Sequence, residues 1–302
     1  MTAQIRDLFE RAGCTGQLCV QSLDGRRELA IDAEVPAVAA SVIKVSIAIA
    51  AETRFADGRL DPRQRITLSA ATRSPGPVGF SLFRDDVEAS LQDLVVAMLT
   101  ISDNDATDAL LRSVGIHALN ADSARLGLTA TVATADEATI VNSIGQQAGF
   151  ADWEALWAWA EQPHTAEEER QVVARITASD ALRPERTTRT SARDMATLLR
   201  LIWTDRAGPP QACRRVRRLM GQQLTRHRLA TAFPPPAKVA AKSGSLTGVV
   251  RNEVGVIEYP DGRAYCAAVF ARAHRAWEND AAINAVIGAA AAAAIEMLDR
   301  TG

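Results

Sequence analysis

Lys238-Val239-Ala240-Ala241-Lys242-Ser243-Gly244-Ser245-Leu246, Arg251-Asn252-Glu253-Val254-Gly255-Val256-Ile257-Glu258-Tyr259 and Arg263-Ala264-Tyr265-Cys266-Ala267-Ala268-Val269-Phe270-Ala271-Arg272 are three short runs rich in apolar residues, the last two joined by Pro260-Asp261-Gly262. Such runs, with a Pro/Asp/Gly turn between them, read as β-strands forming a hairpin. At the other end of the chain, Gln17 to Leu23 and Glu28 to Ala33 alternate around Asp24-Gly25, which predicts a second hairpin. Between about Asp57 and Phe233 the period is helical: Leu91, Leu94, Val95, Met98 and Leu99 mark one apolar face. Ser191 with Asp194 three residues on predicts a capping box, opening a helix that runs through Ile202. Pro234-Pro235-Pro236 punctuates the return to strands, and Asn279 or Asp280 is expected to cap a terminal helix. Strands at both ends and helices between predict an α+β fold: the termini build one antiparallel sheet, a helical lobe is inserted, and a cleft lies where they meet. The expected division is 1–58 with 237–302 for the sheet lobe and 59–236 for the helical lobe.

The composition fits a folded enzyme-sized chain. In 302 residues, 47% are hydrophobic and 23% charged, with a net charge of −2. That balance argues against a nucleic-acid or anionic-membrane binder. The run Arg214 to Arg218 and the triplet Glu167-Glu168-Glu169 read as solvated helix faces, and His117, His164, His227 and His274 are scattered without metal spacing. Neither a metal nor another cofactor is called for. The N-terminus lacks the apolar core of a signal peptide, and Ala281 to Leu298 reads as a helix packed on a sheet, so a cytoplasmic protein is expected. Cys14, Cys19, Cys213 and Cys266 then read as reduced, buried thiols.

Of the 34 basic residues only three are lysines: Lys44, Lys238 and Lys242. Lysine can lose its proton at accessible pH and arginine cannot, so each lysine in an otherwise all-arginine set is a candidate for chemistry. Lys44 sits in Val38-Ala39-Ala40-Ser41-Val42-Ile43-Lys44-Val45-Ser46-Ile47. A lone cation in such a run is costly to bury, and burial pushes its pKa down. Ser41, three residues earlier, shares its helix face, and a desolvated amine beside a hydroxyl can make it a nucleophile; the plainer alternative is a lysine that snorkels to solvent. Ile101-Ser102-Asp103-Asn104 follows the Leu91–Leu99 helix and places a hydroxyl and an amide at its end. Lys242 opens Lys242-Ser243-Gly244-Ser245, where the glycine lets a ligand or another backbone come close.

In this order the three elements resemble the S-x-x-K, S-D-N and K-[TS]-G motifs of the class A β-lactamases and penicillin-binding proteins, over most of the chain. The resemblance implies a five-stranded antiparallel sheet flanked by N- and C-terminal helices, with an inserted all-helical lobe. It implies a serine hydrolase that cleaves an amide or ester, a β-lactam among them, through an acyl-Ser41 intermediate. Lys44 would accept the proton and Ser102 would relay one to the leaving nitrogen. Asn104 would bind the substrate amide, and Lys242, Ser243 and Arg251 an anionic group. The backbone N–H groups of Ser41 and Ser245, beside Gly244, would form the oxyanion hole. The partner is then a small acyl substrate carrying an anionic group. At the place of the family's E-x-x-L-N the chain reads Glu137-Ala138-Thr139-Ile140-Val141-Asn142, with no Leu and the Asn one residue late. Glu137 is either the deacylating acid/base or simply an acid at a helix start. The alternatives are an esterase, amidase or acyltransferase of small metabolites, or a slowly deacylating penicillin sensor. Ser102 and Lys242 lie further apart than the family norm, and the excess is expected near Gly149 to Leu182. There Trp153 and Trp157 read as a packed helix face or, alternatively, a lid over an apolar acyl group.

Overall fold

A computed structural model describes residues 2–300. The chain begins with α1 (Thr2–Arg11), the hairpin β1 (Cys14–Ser22) and β2 (Glu28–Ile31), the short β3 (Ala37–Val38), a 3₁₀ turn at Ala40–Ile43, and α2 (Lys44–Ala56). The inserted region holds β4 (Arg65–Leu68), β5 (Val87–Ser90), α3 (Leu91–Thr100), α4 (Asn104–Val114), α5 (Ile116–Arg125), α6 (Glu137–Gln147), α7 (Trp153–Ala160), α8 (Ala166–Ala178), β6 (Arg189–Thr190), α9 (Ala192–Trp203), α10 (Pro210–Met220) and α11 (Leu229–Ala232). The strands β7 (Lys238–Leu246), β8 (Val250–Glu258), β9 (Ala264–Ala273) and the helix α12 (Asp280–Arg300) complete it.

The main sheet has the order β2-β1-β9-β8-β7, antiparallel throughout, so the first and last strands of the chain share one layer. On β9, Tyr265, Ala267, Val269 and Ala271 pack toward α1 and α12, while Cys266, Ala268 and Phe270 pack toward the helical lobe. A strand covered on both faces needs apolar residues at every position, which is why these runs read as continuous rather than alternating. The terminal helix presents Ile283, Val286, Ile287, Ala290, Ala291, Ala294, Ile295 and Leu298 to that layer at helical spacing. By length and composition α12 would also be long enough to cross a membrane, but half of that window is buried inside the fold. The four cysteines are buried and unpaired.

Helix α2 is buried nearly all round, from Lys44 through Ala51, because it runs through the centre of the helical lobe. Each fully buried Ile or Val there contributes about 1.5–3 kcal/mol relative to exposure. That central position makes α2 a stiff support for whatever its N-terminus carries.

Three local expectations are corrected. The inserted lobe is helical with two exceptions, the β4–β5 hairpin and the β3–β6 ladder; strands of two to four residues leave no periodicity to read. Ser191 does accept the Asp194 N–H, at 3.1 Å, but the Asp194 carboxylate takes the Ala130 N–H and the Thr131 hydroxyl instead of closing a capping box. Asp280 opens α12, yet its carboxylate is held by Arg251.

Candidate active site

Ser41 stands in the 3₁₀ turn that leads into α2, on the wall of a cavity of about 280 Å³ between the sheet edge and the helical lobe. Asn252 of β8 pins this turn: its side-chain amide donates to the carbonyls of Val38 and Ala39 at 2.9 and 3.2 Å. Two non-glycine residues beside the cavity, Ala40 (φ 45°) and Ser102 (φ 69°), hold left-handed backbone conformations. Such strain costs about 1–3 kcal/mol per residue and clusters where surrounding contacts over-determine a working geometry.

For Ser102 those contacts are the two buried lysines. Lys44 Nζ donates to the Ser102 carbonyl at 2.8 Å and reaches its hydroxyl at 3.4 Å. Lys242 Nζ donates to the same hydroxyl at 3.0 Å and to the Ser243 carbonyl at 2.7 Å. With its oxygen accepting from an ammonium, the Ser102 hydroxyl retains its own proton to donate into the cavity. Lys44 also donates to Asn104 Oδ1 at 2.8 Å and lies 3.6 Å from Glu137 Oε1. Both lysine side chains are fully buried. Burial pushes Lys44 below the ordinary lysine range, against the pull of Glu137, Asp108 and Asp103. Lys242 is pushed well below it by burial, with the charge of Lys44 acting in the same direction.

The sheet edge forms the opposite wall. A Cβ on Gly244 would come within 3.0 Å of the Ser41 nitrogen and 3.1 Å of the Val42 nitrogen, so only glycine lets β7 approach this closely. On this edge strand the Ser243 N–H points away from β8, donating to Gln223 Oε1 at 2.6 Å. The two-residue period of a strand turns the Ser245 N–H the same way. Ser41 and Ser245 line the same cavity.

Glu137 is both at a helix start and at the cavity. It begins α6, and it also lines the Ser41 cavity opposite Lys44. Asn142 is turned away: its side chain accepts the Trp153 N–H at 3.2 Å, while Ile140 and Val141 line the cavity. Asn104 is held at both ends of its amide, by Lys44 and by the Pro75 carbonyl at 2.7 Å.

The residues expected to bind an anion are each paired within the protein. Arg251 meets Asp280, with both carboxylate oxygens 2.7 Å from Nη2, and Lys242 lies behind the cavity wall, on Ser102. Neither Arg251 nor Arg228 lines the Ser41 cavity, but both line the groove beside it. Arg228 donates to Ser245 Oγ at 2.6 Å, to the carbonyls of Gly244 and Asn252, and to Asn284. Burial lowers its pKa to about 10.

Other supports also went unnoticed in the sequence. Asp108 accepts the N–H groups of Glu137 and Ala138 at 2.7 and 3.0 Å, fixing the start of α6, and the Ser74 hydroxyl at 2.6 Å. Glu253, buried on β8, accepts from the Gln223 side chain and from the Leu229 N–H, and so steadies both Ser243 and the Arg228 segment. The available signal was a carboxylate on an otherwise apolar face, at Asp105 and Asp108 of α4 and at Glu253 within β8. Among the described residues no group of three or more His, Cys, Asp or Glu is placed to hold a metal.

The segment 149–182 carries α7 and α8 around a small core of Ile144, Ala148, Leu156, Val172, Ile176 and Ala181. Trp153 packs on that core, but Trp157 stands out into solvent, so the pair is not a packed face throughout.

Comparison with known proteins agrees with this geometry. Residues 1–298 match the family described as Beta-lactamase enzyme family. The beta-lactamase regulatory protein BlaB of Streptomyces cacaoi is 29% identical over 279 residues, 88% of this chain and 87% of that protein. Among solved structures, PBP-A superposes with a TM-score of 0.76 at 22% identity, covering 99% of this chain and 95% of that one. A beta-lactamase from Sphaerobacter thermophilus DSM 20745 gives 0.75 at 24% identity, covering 98% and 97%. These last two likenesses establish the shared fold.

Proposed function

The chain belongs to the beta-lactamase enzyme family, and from that premise we propose that it is a serine hydrolase that cleaves an amide or ester through an acyl-Ser41 intermediate. The observation that carries the reading is the convergence on one cavity of Ser41, the two buried lysines meeting on Ser102, and β7 pressed against the Ser41 nitrogen at Gly244. Lys44, its pKa lowered by burial, takes the Ser41 proton as the hydroxyl attacks the acyl carbon. The N–H groups of Ser41 and Ser245 stabilise the developing oxyanion, typically worth about 3–4 kcal/mol per donor. Ser102 gives its proton to the leaving nitrogen or oxygen and is reprotonated through the lysines. Arg228, which donates to Ser245 Oγ and lines the adjoining groove together with Arg251, holds an anionic group of the substrate. Glu137 then activates the water that releases the acyl group.

One observation favours a second reading, a protein that acylates and stays acylated. Asn142, the amide expected to accompany Glu137, is bonded to α7 instead, and Ile140 and Val141 face the cavity. The curated relative is named as a beta-lactamase regulatory protein, a role that a lasting adduct suits. Intact-mass spectrometry over time with benzylpenicillin separates the readings: a transient adduct on Ser41 marks a hydrolase, a persistent one a sensor. No adduct, or equal adduct on Ser41→Ala, overturns both.

A further inference from the structure

The described residues leave six large apolar side chains exposed, and four of them, Leu82, Phe83, Trp157 and Trp277, line a single groove of about 1090 Å³. The groove opens directly from the Ser41 cavity, sharing Pro77, Thr225, Ser243, Ser245 and Leu246 with it. Scattered exposed hydrophobes are ordinary, but clustering on one concave surface marks a binding surface.

Each wall of the groove is built. Trp277 has φ 60° and donates its N–H to the Gly248 carbonyl at 3.2 Å. A Cβ on Gly248 would lie 2.6 Å from the Trp277 backbone nitrogen and ring carbons, so glycine there (φ 67°) is what admits the indole. A bulky residue in left-handed backbone is uncommon, and this one presents its ring to solvent beside the catalytic strand. On the other side Trp157 lies with its ring centroid 6.3 Å from that of Trp153, and its indole N–H donates to Glu161 at 3.1 Å. The supporting helix α7 is docked through the small core that also touches Leu246 at the end of β7. Arg228, which donates to Ser245 Oγ, and Arg251, the cross-strand neighbour of Ser245, both line the same groove.

We propose that the substrate carries three parts: the acyl bond placed at Ser41, an anionic group at Arg228, and a large flat aromatic or long apolar group laid against Trp157, Trp277, Leu82 and Phe83. This rests on the reading of Ser41 as the acylated residue. The 280 Å³ cavity alone suits a compact molecule; the continuous groove selects an amphiphilic one several times larger. Indole walls add aromatic contact to plain area burial, and an exposed ring costs stability unless a ligand covers it.

Binding to Ser41→Ala, measured by titration calorimetry with acetate, phenylacetate and 4-biphenylacetate, tests the groove without requiring acylation. Affinity is expected to rise along the series by about tenfold per ring, and Trp157→Ala and Trp277→Ala each to lose about five- to tenfold for 4-biphenylacetate. Trp157→Phe keeps a ring and should retain most of the gain, while Arg228→Gln should weaken all the carboxylates alike. Affinity that does not grow with the ring system, or tryptophan variants that bind 4-biphenylacetate as tightly as their parent, overturns the proposal. A wild-type protein that forms no adduct with benzylpenicillin would defeat the acyl-Ser41 reading while leaving this binding series unaffected, so the two failures are distinguishable.

Discussion

On the helical side of the cleft Lys44 is surrounded by acceptors: the Ser102 carbonyl, Asn104 Oδ1 and, at 3.6 Å, the Glu137 carboxylate. On the sheet side Lys242 has only the Ser102 hydroxyl and the Ser243 carbonyl, and no carboxylate among the described residues lies within 4.0 Å of it. Its charged neighbours include Lys44 and Arg228, both of which push its pKa further down. Two equally buried lysines are thus set differently. Carboxylates let Lys44 hold a proton part of the time and pass it on, which a base requires. Lys242 is lowered further by burial, with Lys44 and Arg228 acting in the same direction and Glu253 and Glu137 against it.

The largest effect expected from breaking this contrast is at Lys44. Lys44→Arg keeps the charge but removes the releasable proton, so the acylation rate, followed by intact mass, should fall about 10²- to 10⁴-fold. In the parent, acylation should rise with pH through the lowered Lys44 pKa, and the variant should lose that limb. Retained acylation by Lys44→Arg would remove the base role while leaving Ser41 in place. Next is the contact between the walls: Gly244→Ala forces the Ser41 turn and β7 apart by a few tenths of an ångström. Acylation should then drop about ten- to a hundredfold, somewhat less than deleting an oxyanion donor outright. Arg228→Gln should weaken only anionic substrates, by about tenfold in kcat/KM, and leave neutral esters nearly unchanged; an equal loss on both would make Arg228 a structural support.

The smallest effect lies on α2 away from the cleft. Burial lifts the Glu52 carboxyl from 4.5 to about 7, against the opposing pull of Arg215. A folded-state pKa raised in this way means that the folded chain binds the proton more tightly, so stability falls as pH rises from about 4.5 through about 7. Glu52→Gln should therefore gain on the parent between about pH 5 and about pH 8, by on the order of 1 kcal/mol in thermal unfolding. The Arg215 guanidinium, 3.5 Å away, does not offset that burial.

Much of this was legible in the chain. Ser41, Lys44, Ser102, Asn104, Lys242 and Gly244 were named from short motifs and the family they resemble, because each motif spans no more than four residues. The partner of Arg251 was not legible, for the opposite reason. Position on a strand gives its face but not its partner, and Asp280, 29 residues on, took the guanidinium. Arg228 lies in a segment with no periodic pattern and reaches the groove only because that segment is held between β8 and α12. Trp153 and Trp157 looked like one helix face, yet the docking of α7 buries one side of the pair and leaves the other exposed.

By itself the sequence determined the sheet strands, the helical insertion and the nucleophile motifs, since hydrophobic period and short motifs are local properties. The scarcity of lysine pointed to the two buried lysines that meet on Ser102. Only the tertiary structure decided that Arg228 joins Arg251 along the groove, that Glu137 meets Lys44, and that four exposed apolar side chains share that groove. Those are pairings across tens to hundreds of residues, set by how closely packed layers bring distant segments together, and local pattern does not encode them.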